Sequence, residues 1–192
     1  MKSAITVAAV AGLATVAAAQ NVGTITVTAA DMTIGIGQMT TISVVLSDNI
    51  AGNSVFAFDV DVTAAGDAGF SLSDLAPEAS VFGWNGGLAG NVASGLGGSS
   101  DILGPDLDPS LDDLAVFSFK VMGTSEGSIS FTASDGAGPN PAIQWGSGGG
   151  IVINPEVYDS IEFVGATVRV TPAPSGMALL GLGGLAVARR RR

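Results

Sequence analysis

The stretch SVFAFDVDV at residues 54–62 decides the fold. Phe56, Phe58, Val60 and Val62 fall on alternate positions, and Ala57, Asp59 and Asp61 fill the gaps between them. Successive side chains of a strand point to opposite faces, so this two-residue period marks a strand with one face buried. A helix would space its apolar residues three and four apart instead. Working outward, residues 114–122 repeat the pattern, with Phe117, Phe119 and Val121 inward and Ser118 and Lys120 outward. Residues 128–133 bury Ile129 and Phe131 in the same way. Ile25 and Val27 alternate with Thr24, Thr26 and Thr28, and Ile42, Val44 and Leu46 alternate with Thr41, Ser43 and Val45. Shorter strands are predicted at 143–145, 151–153 and 161–170; in the last the inward parity switches around Val164-Gly165, which suits a bulge.

Glycine, asparagine and aspartate punctuate these runs at 47–49, 64–67, 124–127, 135–141 and 146–150. No segment between the two ends carries ten residues of helical period. Seven to nine short strands with turn signals between them imply an all-β, antiparallel two-sheet β-sandwich over residues 20–171. Residues 83–113 are rich in glycine and are expected to form a long loop. The chain has no cysteine, so this body rests on its apolar core without a disulfide.

The ends differ from the body. Residues 1–19 pair Lys2 with an alanine-rich apolar run, the pattern of a secretory signal helix. Small residues at Ala17 and Ala19 place signal peptidase cleavage before Gln20; the alternative is a buried N-terminal helix. At the other end, Pro172-Ala173-Pro174 breaks the last strand. Residues 175–188 follow without a charge, as a short apolar helix, and Arg189, Arg190, Arg191 and Arg192 close the chain. Terminal arginines stay on the cytoplasmic side, which leaves the body outside. Fourteen apolar residues rise only about 21 Å against a hydrocarbon core of about 30 Å, so the helix suits transient insertion in the inner membrane.

This tail, residues 172–192, resembles the PEP-CTERM sorting signal, which exosortases read. In that family a Pro-Glu-Pro-like motif precedes an apolar helix and an arginine cluster; here Ala173 replaces the glutamate. The resemblance implies cutting near Pro172-Ala173-Pro174 by an exosortase-type protease and a product released or held at the cell surface. An ordinary tail anchor without processing is the alternative. The strand order of the body is similar to the cohesin and family 2/3 carbohydrate-binding superfamily. That likeness spans about residues 24–135: a Thr-rich strand, a Phe-rich strand ending in an acidic pair, a long middle, and two further strands. It implies a jelly-roll sandwich and carries over no binding residue.

Charge narrows the partners. The body keeps Lys120 and Arg169 against all 17 carboxylates, a net charge of −15. Nucleic acid is excluded, because phosphate binding needs clustered cations. Asp106, Asp108, Asp112 and Asp113, with Asp101 nearby, form the densest carboxylate group, which could hold calcium. A solvated acidic loop accounts for the same residues. Trp84, Trp145 and Tyr158 could stack on sugar rings or cap the core. With no histidine or cysteine there is no Ser-His-Asp triad, no Cys-His pair and no ordinary zinc site; only a carboxylate pair could hydrolyse a glycosidic bond, and no spacing singles one out. These features predict a non-catalytic, exported surface or matrix protein. The alternative is a cohesin-like or carbohydrate-binding module that engages extracellular polysaccharide or a surface protein.

Overall fold

A computed structural model describes residues 20–49, 54–78, 81–99, 114–136, 143–146, 156–157 and 159–172. These form thirteen strands: β1 (Val22–Ala29), β2 (Thr33–Gly35), β3 (Met39–Asp48), β4 (Ser54–Gly66), β5 (Phe70–Pro77), β6 (Phe82–Ala89), β7 (Val92–Ser99), β8 (Leu114–Gly123), β9 (Gly127–Asp135), β10 (Ile143–Gly146), β11 (Glu156–Val157), β12 (Ser160–Val164) and β13 (Ala166–Thr171). One sheet runs β12-β1-β3-β8-β5. The other runs β11-β10-β4-β9-β13-β2, and off this path β7 also pairs with β4 and β6 pairs with β7. No described residue is helical. The expected flanking helices, at 1–19 and within 173–192, and the expected strand at 151–153 lie outside the described residues.

The two-residue period produces the core. Phe58, Val60, Val62 and Ala64 of β4 are buried, as are Phe117, Phe119 and Val121 of β8 and Ile129, Phe131 and Ala133 of β9. Rings meet across the sandwich: Phe58 lies 5.6 Å from Phe117 edge-to-face, and Phe119 lies 6.1 Å from Phe131. Each such pair adds about 0.5–1.5 kcal/mol to the burial of its rings. Asp59 breaks the pattern, being buried although its parity is outward. β7 covers it on one side, with Gly97 as its strand partner, and Gly136 approaches from the other, its N–H donating to the Asp59 carbonyl at 3.1 Å.

Three expectations are corrected. Residues 83–99 are not loop but most of the β6–β7 hairpin, closed by Gly90 and Asn91. The Asn91 side chain donates to the Ala64 carbonyl at 2.8 Å and thereby fastens the turn to β4. A bulge hides the period of β7: Ser94 and Gly95 sit between the Val60–Leu96 and Val62–Ala93 pairs. Gly95 takes φ +60°, and its N–H donates to Asp61 Oδ1 at 2.7 Å. Residues 161–170 are not one bulged strand. The chain crosses between sheets at Gly165, so that β12 extends the first sheet and β13 the second. A side chain at Gly165 would meet the Phe131 carbonyl, which is why the crossing falls on a glycine. Finally, pairing is not wholly antiparallel, because β12 runs parallel to β1 and β2 parallel to β13.

Register also sorts the two poles of the sandwich. Gly23 opposite Asp48 and Val60 opposite Asp135 mark the pole where Gln20 enters. Met39 opposite Met122 and Val170 opposite Gly127 mark the pole where Pro172 leaves. The first and last described residues therefore lie at opposite poles.

Candidate functional site

The sheet carrying β4, β9 and β13 presents an outer face built from short polar side chains. On β9, Ser128, Ser130, Thr132 and Ser134 are all exposed, because they alternate with the buried Ile129, Phe131 and Ala133. Thr63 and Ala65 of β4 lie opposite Thr132 and Ser130, and both are exposed. Thr167 of β13 lies opposite Ser130, and their hydroxyls approach to 3.3 Å. Arg169 stands beside Ser128 at one margin and Asp61 beside Ser134 at the other. At about 3.3 Å per residue and 4.8 Å per strand, this patch extends roughly 20 by 10 Å. No aromatic side chain is described on it. It offers hydroxyl donors and acceptors and little charge, which suits docking of another surface more than enclosure of a small molecule.

Of the three predicted aromatic site residues, Trp84 and Trp145 lie on described strands. Trp84 of β6 turns toward the core, its ring 6.2 Å from that of Phe117 in an edge-to-face contact, and it remains 45% exposed. It thus caps the sandwich at its rim and extends the Phe58–Phe117 pair into a run of three rings. Trp145 lies on β10, opposite Val55 of β4 and Glu156 of β11. Strands β7 and β4 separate β6 from β10, so the two backbones are about 14 Å apart at 4.8 Å per strand. Tyr158 and the carboxylates Asp106, Asp108, Asp112 and Asp113 lie outside the described residues. So do Ala17, Ala19, Ala173, Pro174 and Arg189 to Arg192, whereas Gln20 and Pro172 are described and exposed. Among the described residues no group of three or more carboxylates is placed to hold a metal ion.

Asp67 is a polar anchor that alternation does not reveal. It follows β4, and its Oδ1 accepts the Ser128 N–H at 2.7 Å. That hydrogen bond holds its carboxyl below the ordinary aspartate range. The turn after β4 is thereby tied to the first residues of β9, which steadies one margin of the hydroxyl face.

No protein-family model matches the chain, and no curated protein matches its sequence. Its structure is similar to that of the seventh ScaB type I cohesin from Pseudobacteroides cellulosolvens, with a TM-score of 0.55 at 10% identity over 80% of this chain and 95% of that one. It is similar to a cohesin module of a family 33 glycoside hydrolase from Clostridium perfringens, with a TM-score of 0.52 at 14% identity over 80% and 98%. A further likeness is to the sixth cohesin of scaffoldin B from Acetivibrio cellulolyticus, solved in complex with a mutant Cel5 dockerin. Its TM-score is 0.53 at 12% identity over 78% of this chain and 99% of that one. The described domain is an all-β, two-sheet sandwich whose fold resembles that of the cohesins.

Proposed function

We propose that this chain is a non-catalytic, exported cell-surface module that binds a protein partner in the manner of a cohesin. The outer face of β4, β9 and β13 is the docking surface. The observation that carries this reading is that face: about 20 Å of exposed serine and threonine with no described aromatic and a charge only at each margin. Such a face offers hydrogen-bond donors and acceptors along its length, and a typical protein interface carries about ten direct hydrogen bonds. A sugar platform would need exposed rings in a row, and Trp84 spends one side of its ring on Phe117. Cohesins of similar fold that were solved with a dockerin bound add support for a protein ligand.

Delivery follows from the two ends. The signal at 1–19 exports the chain, and the tail at 172–192 holds it in the inner membrane until an exosortase-type protease cuts near Pro172-Ala173-Pro174. The product is released or attached at the surface. A photo-crosslinking amino acid placed at Thr132 in the native host tests the reading. The expected result is a discrete protein adduct on material recovered outside the cell. Its chain portion should begin near Gln20 and end within 172–175. The same probe at Thr26, on the other sheet, should give no adduct. Equal labelling from both positions would refute the docking face. A product that still ends at Arg192 in the membrane fraction would refute the sorting step.

A further inference from the structure

The pole where the chain leaves carries an apolar surface that the core does not use. Met32 is 62% exposed, Met39 54% and Ile36 39%, all within eight residues. Exposed apolar side chains gathered in this way mark a contact surface, whereas scattered ones do not. Local hydrogen bonding fixes their presentation. Ile36 is the second residue of a turn closed by the Gln38 N–H on the Gly35 carbonyl at 2.9 Å, with Gly37 at φ +81°. The Gly37 N–H donates to the Gly123 carbonyl at 2.8 Å, and the Ile36 N–H donates to the Thr171 carbonyl at 3.0 Å. The turn is therefore clamped to the last residue of β8 and the last residue of β13. Met39 stands beside Met122, and the Met32 carbonyl accepts the Arg169 N–H at 2.9 Å.

Because Thr171 is bonded to Ile36, the chain departs beside this surface. Only Pro172, Ala173 and Pro174 separate that point from the uncharged residues 175–188. Three extended residues reach roughly 10 Å at about 3.3 Å each. Among the described residues the opposite pole carries Asp48, Asp135 and Asp159. Among the described residues the exit pole carries Asp31, Asp67 and Glu126, with Arg169 on the neighbouring strand. Among the carboxylates named here, Arg169 makes the exit pole the less negative of the two, so lipid phosphate opposes an orientation with that pole toward a membrane less than the reverse.

We infer that Met32, Ile36 and Met39 rest in the headgroup region of a zwitterionic bilayer while the tail is inserted, which stands the sandwich on its exit pole. This rests on the tail being a membrane segment, as in the reading above. The body would then meet the membrane at a defined orientation, with the opposite pole facing outward.

The absence of native cysteine makes the test direct. Single-cysteine forms of the full chain, Ile36→Cys, Met39→Cys, Thr132→Cys and Ala186→Cys, are labelled with an environment-sensitive fluorophore. They are incorporated in phosphatidylcholine vesicles carrying a quencher either at headgroup depth or deep in the acyl chains. The expected result is deep quenching at position 186, headgroup-level quenching at 36 and 39, and none at 132. Deep quenching at 186 without quenching at 36 and 39 would overturn the inference and leave the tail reading intact. Shielding of 36, 39 and 186 from aqueous iodide without lipid would also overturn it, showing that the tail itself covers the surface. No quenching at 186 would bring down the tail reading and the inference together.

Discussion

Replacing Leu96 by alanine separates two descriptions of residues 83–99. If they are a surface loop, the substitution removes an unpacked side chain and costs no more than about 0.5 kcal/mol. In the structure Leu96 is fully buried, opposite Val60 in the core-facing row of β7 and β4. Leu→Ala deletes three carbons, worth about 0.8 kcal/mol each in transfer, or about 2.4 kcal/mol together. The cavity left behind raises this toward 3 kcal/mol, inside the ~2–5 kcal/mol range of such substitutions. With a urea dependence of about 2 kcal/mol per molar, the unfolding midpoint should fall by roughly 1.5 M, and its slope should not change. The assay is equilibrium urea unfolding followed by far-ultraviolet circular dichroism, with Val92→Ala at the half-buried end of β7 as the control. A midpoint shift for Leu96→Ala below about 0.3 M would refute the integration of the hairpin into the core.

Two further outcomes follow from local geometry. Hydrogen bonding in the folded state lowers the Asp67 carboxyl, so its contribution is complete above the ordinary aspartate value of about 3.9 and is lost as pH falls through the lower folded value. The difference in unfolding midpoint between the parent chain and Asp67→Asn should therefore be present at pH 7 and shrink as the pH falls below about 4; a constant difference would contradict the role of the Ser128 N–H. Gly165→Ala would drive a methyl group into the Phe131 carbonyl at the crossing between sheets, at a cost of about 1–3 kcal/mol. Calorimetry should record a fall of roughly 3–10 °C, and an unchanged transition would mean that the crossing tolerates a side chain.

Where strands carry large side chains on one face, alternation reads the structure well. The inward rows Phe58-Val60-Val62, Phe117-Phe119-Val121 and Ile129-Phe131 are all buried as their period implies. It fails where side chains are missing or displaced. β7 has only Ala93 and Leu96 buried in its core-facing row, and the bulge at Gly95 puts them out of phase with each other. β5 hides its period behind Asp74 at φ +53° and a register shift between Ser73 and Ala76. The candidate face was partly legible: residues 128–133 show which positions of β9 turn outward, but not that Thr63 and Thr167 would join Thr132 and Ser130.

By itself the sequence determined which faces of its strands are buried, because the side-chain period of a strand is a local property of the backbone. It also determined the charge of the body and the contrast between body and ends. Partners were decided only by the tertiary structure, since a strand's hydrogen bonds are satisfied by segments far away in the chain. That is why the parity change at Val164-Gly165 reads equally as a bulge or as a passage between sheets. Only the pairing of β12 with β1 and of β13 with β9 distinguishes them. Tertiary structure likewise decided that Ile36 and Thr171, 135 residues apart, share a hydrogen bond, and so where the tail leaves the domain.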